Sequence, residues 1–481
     1  MRGGHISRPS GIWSSKMKKK LVSMLTVFVM VVTLAGSVLS TTAFAITFDN
    51  DVSLNSEAAY MVNLDTGEVV YSKNSDQQRV PASLTKIMTC LLVLEAYNGD
   101  AEKLQSVTAS GGSAAFDELA GTGASHADIQ RGEVVTYYDL LHALMIPSAC
   151  EAANILAIDM CGSIEEFVEK MNEKAVELEM TNTHFSNAHG LFAENNYTSC
   201  EDIAKLVRYC MDKYPLFMEI CNKPSYVMTA TPEHPDGTKI INTNKLIVEN
   251  SDYYYRFASG IKTGFLDAAG RCLVSTASRN GYTYLIVTMG ADGYDDDGNS
   301  KMYNCIDHSA LYDWAFGCLE YTAIIDDSSE LGEVAVEYGK NEYVCVRPAN
   351  SFSRLWPNNI PVSQVRKKIT LDKSVVAPVE AGQKLGTVEL TYDGQTITTI
   401  DLIAVNAVER DEVKSDVKVS TSFTESNYFK IAIIIAVGAV LFYILIFAAV
   451  LIHKRNKKRY EEEYDDYDDD EYDDEYDDYD D

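Results

Sequence analysis

Apolar residues recur every three or four positions in six stretches of the chain, 87–96, 138–145, 151–160, 164–178, 201–211 and 306–316. That period keeps one face of a helix apolar, so each stretch predicts a helix. Between them lie short apolar runs at 59–63, 69–72, 261–263, 272–277 and 283–289, which predict strands. Helices and strands mixed in this order predict an α/β (α+β) domain built around an antiparallel sheet, over residues 46–321. Beyond residue 322 the runs turn short and β-rich, at 334–338, 343–346, 387–392 and 396–400. The last two flank Asp393-Gly394, a pair that tolerates the left-handed backbone of a tight hairpin turn. A small all-β domain over 322–412 is expected, and no internal repeat is visible.

Two longer apolar runs stand apart from this body. The stretch 17–45 has a basic start at Lys18, Lys19 and Lys20, an apolar run over 21–34 and a small-residue site at Ala43-Phe44-Ala45. It reads as a secretory signal peptide, so 1–45 is assigned to the signal with 1–16 as an upstream extension. The run 431–452 carries no charge and reaches the ~20 residues that cross a hydrocarbon core as a helix. A transmembrane helix is expected over 429–452, after a polar linker at 413–428. Lys454, Arg455, Lys457, Lys458 and Arg459 follow it and form the flank that stays cytoplasmic. The reading is a single-pass protein of the cell membrane, its body on the extracytoplasmic side and its C-terminus in the cytoplasm.

Charge changes the picture mainly at that C-terminus. Residues 460–481 contain only Tyr, Asp and Glu and hold 16 of the chain's 71 acidic residues, so the formal charge of -30 overstates the acidity of the body. Such a segment cannot bury a core and reads as a solvated cytoplasmic tail. An acidic chain of this kind is not a nucleic-acid binder. The ten cysteines, in a chain this long and without paired CxxC spacing, constitute neither a disulfide scaffold nor a zinc site. The run 292–298 has the composition of a calcium loop without its alternating ligands and reads as a solvated turn. No metal and no cofactor is expected.

Candidate chemistry lies in three short strings. Ser83-Leu84-Thr85-Lys86 is an SxxK pattern, which Ser15, Ser259 and Ser415 also open. Only Ser83 is preceded by Pro81-Ala82 and followed by a charge-poor apolar run, which places it in the first turn of a buried helix. Positions i and i+3 share a helix face, so the Lys86 amine would stand beside the Ser83 hydroxyl. A lysine buried among apolar groups loses proton affinity and can activate a serine. In Ser148-Ala149-Cys150, Pro147 ends one helix and the next begins after the serine, leaving Ser148 at a junction where it can relay a proton or cap the helix. Lys262-Thr263-Gly264 reads as a strand whose two-residue period puts Lys262, Gly260 and Gly264 on one face, open to a substrate backbone beside a positive charge.

The three strings, with Gly132-Glu133-Val134-Val135-Thr136, Asn187-Ala188-His189-Gly190-Leu191, Tyr197-Thr198 and Asp267-Ala268-Ala269-Gly270, resemble low-molecular-mass penicillin-binding proteins of the serine D-Ala-D-Ala carboxypeptidase family. The β-rich segment, with Ala377-Pro378-Val379, and the C-terminal attachment are similar to that family too. The resemblance implies a serine β-lactamase/penicillin-binding-protein-like catalytic domain. It implies Ser83 as acylated nucleophile, Lys86 as base, Ser148 as relay, Lys262 and Thr263 on the substrate carboxylate, and the backbone N–H groups of Ser83 and Phe265 as oxyanion hole. His189 has no catalytic role in that pattern. The implied partners are a peptidoglycan stem peptide as substrate and β-lactams as inhibitors.

The family usually has Asn where this chain has Cys150, and a thiol is a weaker hydrogen-bonding group than an amide. Asn154, one helical turn on, is placed to substitute in part. Two alternatives stay open at this point. One is a penicillin-binding wall-interaction protein with little turnover. The other is a β-lactamase or transpeptidase on the same fold, although no ExxLN string follows Ser148.

Overall fold

The computed structural model describes residues 52–412 and 424–465, with side chains to residue 459. The expected signal peptide and the end of the acidic tail fall outside the described residues, as does most of the linker.

The chain divides into two compact units. The first runs to Asp327 and also takes in 350–368 and 388–400. Its centre is an antiparallel sheet of β1 (Ala58–Asn63), β2 (Val69–Lys73), β3 (Ala258–Leu266), β4 (Gly270–Arg279) and β5 (Tyr282–Ala291), in the order β2-β1-β5-β4-β3. The strand carrying Lys262 therefore forms one edge. It is nine residues long where the pattern predicts three, because Gly260 and Gly264 interrupt the apolar signal without interrupting the pairing. The register slips between Ser259 and Lys262, which breaks the strict alternation assumed for Gly260 and Lys262.

Helix α1 (Lys86–Ala96) is buried along almost its whole length. A helix apolar on every side belongs at the centre of a fold, and Ile87, Leu91 and Leu94 pack there with α2 (Tyr137–Met145), α3 (Cys150–Cys161), α4 (Ile164–Glu177) and α5 (Cys200–Lys213). Thr136, Ser163 and Ser199 cap α2, α4 and α5 by accepting backbone N–H bonds. The short α6 (Pro215–Cys221) escapes periodicity because seven residues span only two turns; Pro215 starts it at a position that needs no N–H donor.

Strand β4 shows why the sheet reads as a continuous apolar run. Cys272 and Val274 join the core around α1, while Leu273 and Ser275 point the other way, toward α7 (Tyr303–Cys318). There His308, with no exposed surface, is bonded at both ring nitrogens, Nδ1 to Ser275 Oγ at 2.7 Å and Nε2 to Thr288 Oγ1 at 3.0 Å.

The second unit comprises 328–349, 369–387 and the chain from Asp401. Its strands belong to a six-stranded sheet in the order Arg366–Leu371, Lys384–Tyr392, Gln395–Ala404, Tyr343–Pro348, Gly332–Glu337, Ser374–Val376. Asp393 and Gly394 both take positive φ in the hairpin, as their types predict. Helix α8 (Asn427–Asp465) contains a stretch, Asn427–Arg459, long and apolar enough to cross a membrane, its 18-residue apolar window having a mean hydropathy of 3.0. The ten cysteines are unpaired thiols, most of them buried.

Burial pushes the His308 imidazole down to about 3 from its ordinary 6.5. Its contribution to stability is therefore complete above pH 6.5 and is lost as the pH falls toward 3, because the unfolded chain takes up the proton first. The stability advantage of the parent over a His308→Gln variant should shrink between about pH 7 and about pH 4 in thermal unfolding. An advantage that does not move with pH would mean that His308 is not the group that titrates.

Candidate active site

Ser83 sits in a single 3-10 turn, Ala82–Thr85, and not in the α-helix expected from the pattern. Ala82 adopts φ +47, and α1 begins only at Lys86. The tight turn still brings the two side chains together: Lys86 Nζ stands 3.0 Å from Ser83 Oγ. Ser83 is half-buried, whereas Lys86 has no exposed surface.

The Lys86 amine makes two more contacts. It donates to the His189 carbonyl at 2.6 Å and to Cys150 Sγ at 3.3 Å. Burial lowers its proton affinity, and the neighbouring Cys150 and Glu151 oppose that shift. A buried amine with a lowered pKa, within hydrogen-bond reach of a half-buried serine, is an arrangement that activates a nucleophile.

The turn around His189 is the main feature that reading the strings alone leaves out. His189 supplies its carbonyl, and its ring is occupied locally: Nδ1 accepts the Leu191 N–H at 3.1 Å and Nε2 lies 3.0 Å from Glu118 Oε1. The ring is thus structural, as expected. Gly190 follows with φ +88, and a Cβ there would lie 1.9 Å from the Ala82 carbonyl oxygen. No side chain fits between this turn and the one that carries Ser83.

Ser148 lies at the junction of α2 and α3 with φ +72, 4 % exposed. It does not cap α3, whose N-cap is Ala149, and its hydroxyl has no hydrogen-bond partner among the described residues. A buried hydroxyl left unpaired in this way is costly unless a substrate or a proton transfer uses it. Cys150 occupies the first position of α3. Asn154 does not take over from it: its amide donates to the Ala115 carbonyl at 3.2 Å and to Glu118 Oε1 at 2.7 Å, so the expected substitution does not occur.

Lys262 is buried and donates to the Thr263 carbonyl at 2.9 Å. Burial, and then the charge of Lys86, push its ammonium well below the ordinary range. The Thr263 hydroxyl meets Thr243 Oγ1 at 2.6 Å, and the Thr243 N–H bonds to the Ile146 carbonyl at 3.1 Å. Thr243, in no motif, thereby ties the edge strand to the segment leading into Ser148. Gly264 has a different reason from the one expected. A Cβ there would lie 3.1 Å from Ala82 Cβ and 3.2 Å from the Ser83 nitrogen, so its bare backbone makes room for the Ser83 turn. Gly260 faces Cys221 and Met218 of α6. Phe265, next on the strand, is exposed.

Residues 45–293 match the family model described as D-alanyl-D-alanine carboxypeptidase, which spans more than half of the chain. The chain belongs to the D-alanyl-D-alanine carboxypeptidase family. It is a low-molecular-mass penicillin-binding protein and a serine-type carboxypeptidase. Residues 319–410 match the penicillin-binding protein 5 C-terminal domain. Among curated carboxypeptidases, DacF of Bacillus subtilis is 29 % identical over 379 residues, covering 79 % of this chain and 92 % of that protein. The enzyme of Streptomyces sp. strain K15 is 31 % identical over 261 residues, covering 52 % of this chain and 85 % of that one. The crystal structure of the carboxypeptidase DacD from Francisella tularensis shares the fold with a TM-score of 0.57 at 23 % identity, over 77 % of this chain and 98 % of that one.

Two substitutions test the geometry of this carboxypeptidase. Gly190→Ala should displace the Ala82 carbonyl and with it Ser83, lowering the rate of penicillin acylation at least about tenfold, or about 1.4 kcal/mol; stopped-flow acylation reads this. Cys150→Asn should keep or raise that rate, because an amide bonds the Lys86 amine better than a thiol. A collapse of acylation would give the thiol a role of its own.

Proposed function

We propose that Ser83 is the nucleophile of this carboxypeptidase and that it attacks the carbonyl of the penultimate D-Ala of a peptidoglycan stem peptide. The observation that carries the reading is the buried Lys86 amine, 3.0 Å from the Ser83 hydroxyl and held on its other side by the His189 carbonyl. Neutral Lys86 takes the hydroxyl proton as the serine–carbonyl bond forms. The oxyanion is received by the backbone N–H groups of Ser83 and Phe265. Ser148, whose buried hydroxyl is otherwise unpaired, passes the proton to the nitrogen of the departing D-Ala as the peptide bond breaks. Water then cleaves the ester, returning the hydroxyl to Ser83.

Lys262 and Thr263 hold the terminal carboxylate of the substrate, Gly264 lets the strand lie under the nucleophile, and Cys150 steadies Lys86. The two buried lysines oppose each other's charge. A neutral Lys86 therefore favours a charged Lys262, which gives the site one base and one cation at the same time. β-Lactams acylate Ser83 by the same attack and act as inhibitors.

Residues 46–321 form the catalytic domain in this reading, and 322–412 the β-rich domain that follows it. The linker at 413–428 leads to a membrane helix over 429–452. The signal peptide places the catalytic domain on the extracytoplasmic side and the basic flank leaves the tail in the cytoplasm.

Incubating the full chain in detergent with a fluorescent penicillin, and separately with a peptide ending in D-Ala-D-Ala, tests the reading. Labelling and D-Ala release are expected from the parent and neither from Ser83→Ala. Activity that survives in the variant would refute the assignment of Ser83, and labelling without release would favour a penicillin-binding protein with little turnover.

A further inference from the structure

The turn whose carbonyl receives the Lys86 amine is itself held from the surface, by a carboxylate that the reaction above does not use. Glu118 lies in a 3-10 turn, Asp117–Leu119, with its side chain half-exposed. Its Oε1 meets two buried groups at once: the His189 ring, whose Nε2 is 3.0 Å away, and the Asn154 amide, which donates to it at 2.7 Å. His189 is 3 % exposed and Asn154 has no exposed surface. Beside Glu118, Asp117 accepts from Arg131 at 2.7 Å, and the Arg131 guanidinium lies over the Phe116 ring. Asn154 stands one turn into α3 from Cys150, so one carboxylate oxygen joins the two elements that give Lys86 its partners besides Ser83.

These contacts fix the proton on the His189 ring. Nδ1 lies 3.1 Å from the Leu191 N–H, which can only donate, so Nδ1 is an acceptor and carries no proton. Burial pushes this imidazole down and keeps the ring neutral, which leaves its single proton on Nε2, donated to Glu118. The bond from His189 in turn holds the Glu118 carboxyl below its ordinary range, as an ionised acceptor. Ring and backbone move as one unit, because the ring bonds the N–H two residues further on. On its inward side the same turn presents two carbonyls to α1: Ala188 accepts from the Thr89 hydroxyl and His189 from the Lys86 amine, both at 2.6 Å.

We propose that Glu118 is a positioning residue of the acyl-transfer site: by accepting the Nε2 proton of His189 it selects the ring tautomer that bonds Leu191, and so holds the His189 carbonyl on the Lys86 amine. The inference rests on Lys86 acting as the base for Ser83. An exposed ion pair contributes little to stability by itself. Here the oxygen serves two buried donors, and removing it strands both. The ring then escapes by turning or by moving its proton to Nδ1, where it faces the Leu191 N–H donor to donor and opens the turn. The displacement reaches Lys86 through the carbonyl 2.6 Å away, and Ser83 through Gly190, which has no room to move against the Ala82 carbonyl.

The test combines penicillin acylation rates for the full chain in detergent with nitrogen NMR of the His189 ring, assigned against a His189→Gln spectrum. Glu118→Ala removes the acceptor oxygen, whereas Glu118→Gln keeps it and removes only the charge. Glu118→Ala should slow acylation at least about tenfold through misplacement of the base, and Glu118→Gln should restore most of that loss. The ring shifts should report a single Nε2–H tautomer in the parent and in Glu118→Gln, and a mixture in Glu118→Ala. Acylation by Glu118→Ala at the parent rate, equal losses in the two variants, or an unchanged tautomer in Glu118→Ala would each overturn the inference while leaving Ser83 and Lys86 in their roles. Failure of the parent to acylate would instead overturn the reading on which it rests.

Discussion

An ammonium taken wholly out of water is among the least stable things a protein can contain, and this fold is organised around one. Lys86 is held in the first turn of the central helix, with no exposed surface, by a serine oxygen, a sulfur and a backbone carbonyl. None of the three is a full counter-charge. The chain resolves the cost by disfavouring the proton on the lysine, and a lysine without its proton is a base. The packing that makes α1 the core of the domain is therefore also what lowers the proton affinity of its first residue.

The rest of the site keeps that amine aligned with a serine on a different kind of turn. The Ser83 turn is wedged between two glycines from distant parts of the chain, Gly190 and Gly264, each in contact with backbone or Cβ atoms of residues 81–83. Thr243 ties the edge strand to the approach to Ser148 through two hydrogen bonds. Ser83, Ser148 and Lys262 thus come from three separated stretches that meet through these contacts. Strain concentrates in the same places: Ala82 and Ser148 both hold positive φ, which is uncommon for residues with a side chain.

What could be read in advance follows from this division. The helices and the main strands follow from periodicity because burial acts locally, residue by residue, on helices such as α1 and strands such as β4. The Ser83–Lys86 pair was legible because a spacing of three brings side chains together in either a 3-10 or an α turn, so the wrong helix type led to the right contact. Thr243, Glu118 and the His189 carbonyl were not legible, since threonines, glutamates and carbonyls are everywhere and only the tertiary fold selects these. The strand period assigns Gly260 and Gly264 to the substrate, because a sequence shows that a side chain is absent without showing what fills the space, which here is α6 and the Ser83 turn. Asn154 was credited with a contact that helical spacing allows and that Glu118 and Ala115 take instead.

The placing of β3 at the rim of the sheet has a consequence beyond this reaction. A rim strand offers its backbone to any extended chain that arrives, which suits a peptide substrate but also invites a second copy of the protein to pair there. Here the rim is not a clean template. The register slip between Ser259 and Lys262 interrupts its repeat, Asn222 and Asn244 occupy the backbone of Gly260, and an inward-pointing lysine follows directly. A partner long enough to pair with the whole strand is refused by these irregularities, while a chain end that needs only the few residues around Thr263 is not. The features that distort β3 thereby make this edge a poor template for pairing with a continuous strand, and so guard it against edge-to-edge association.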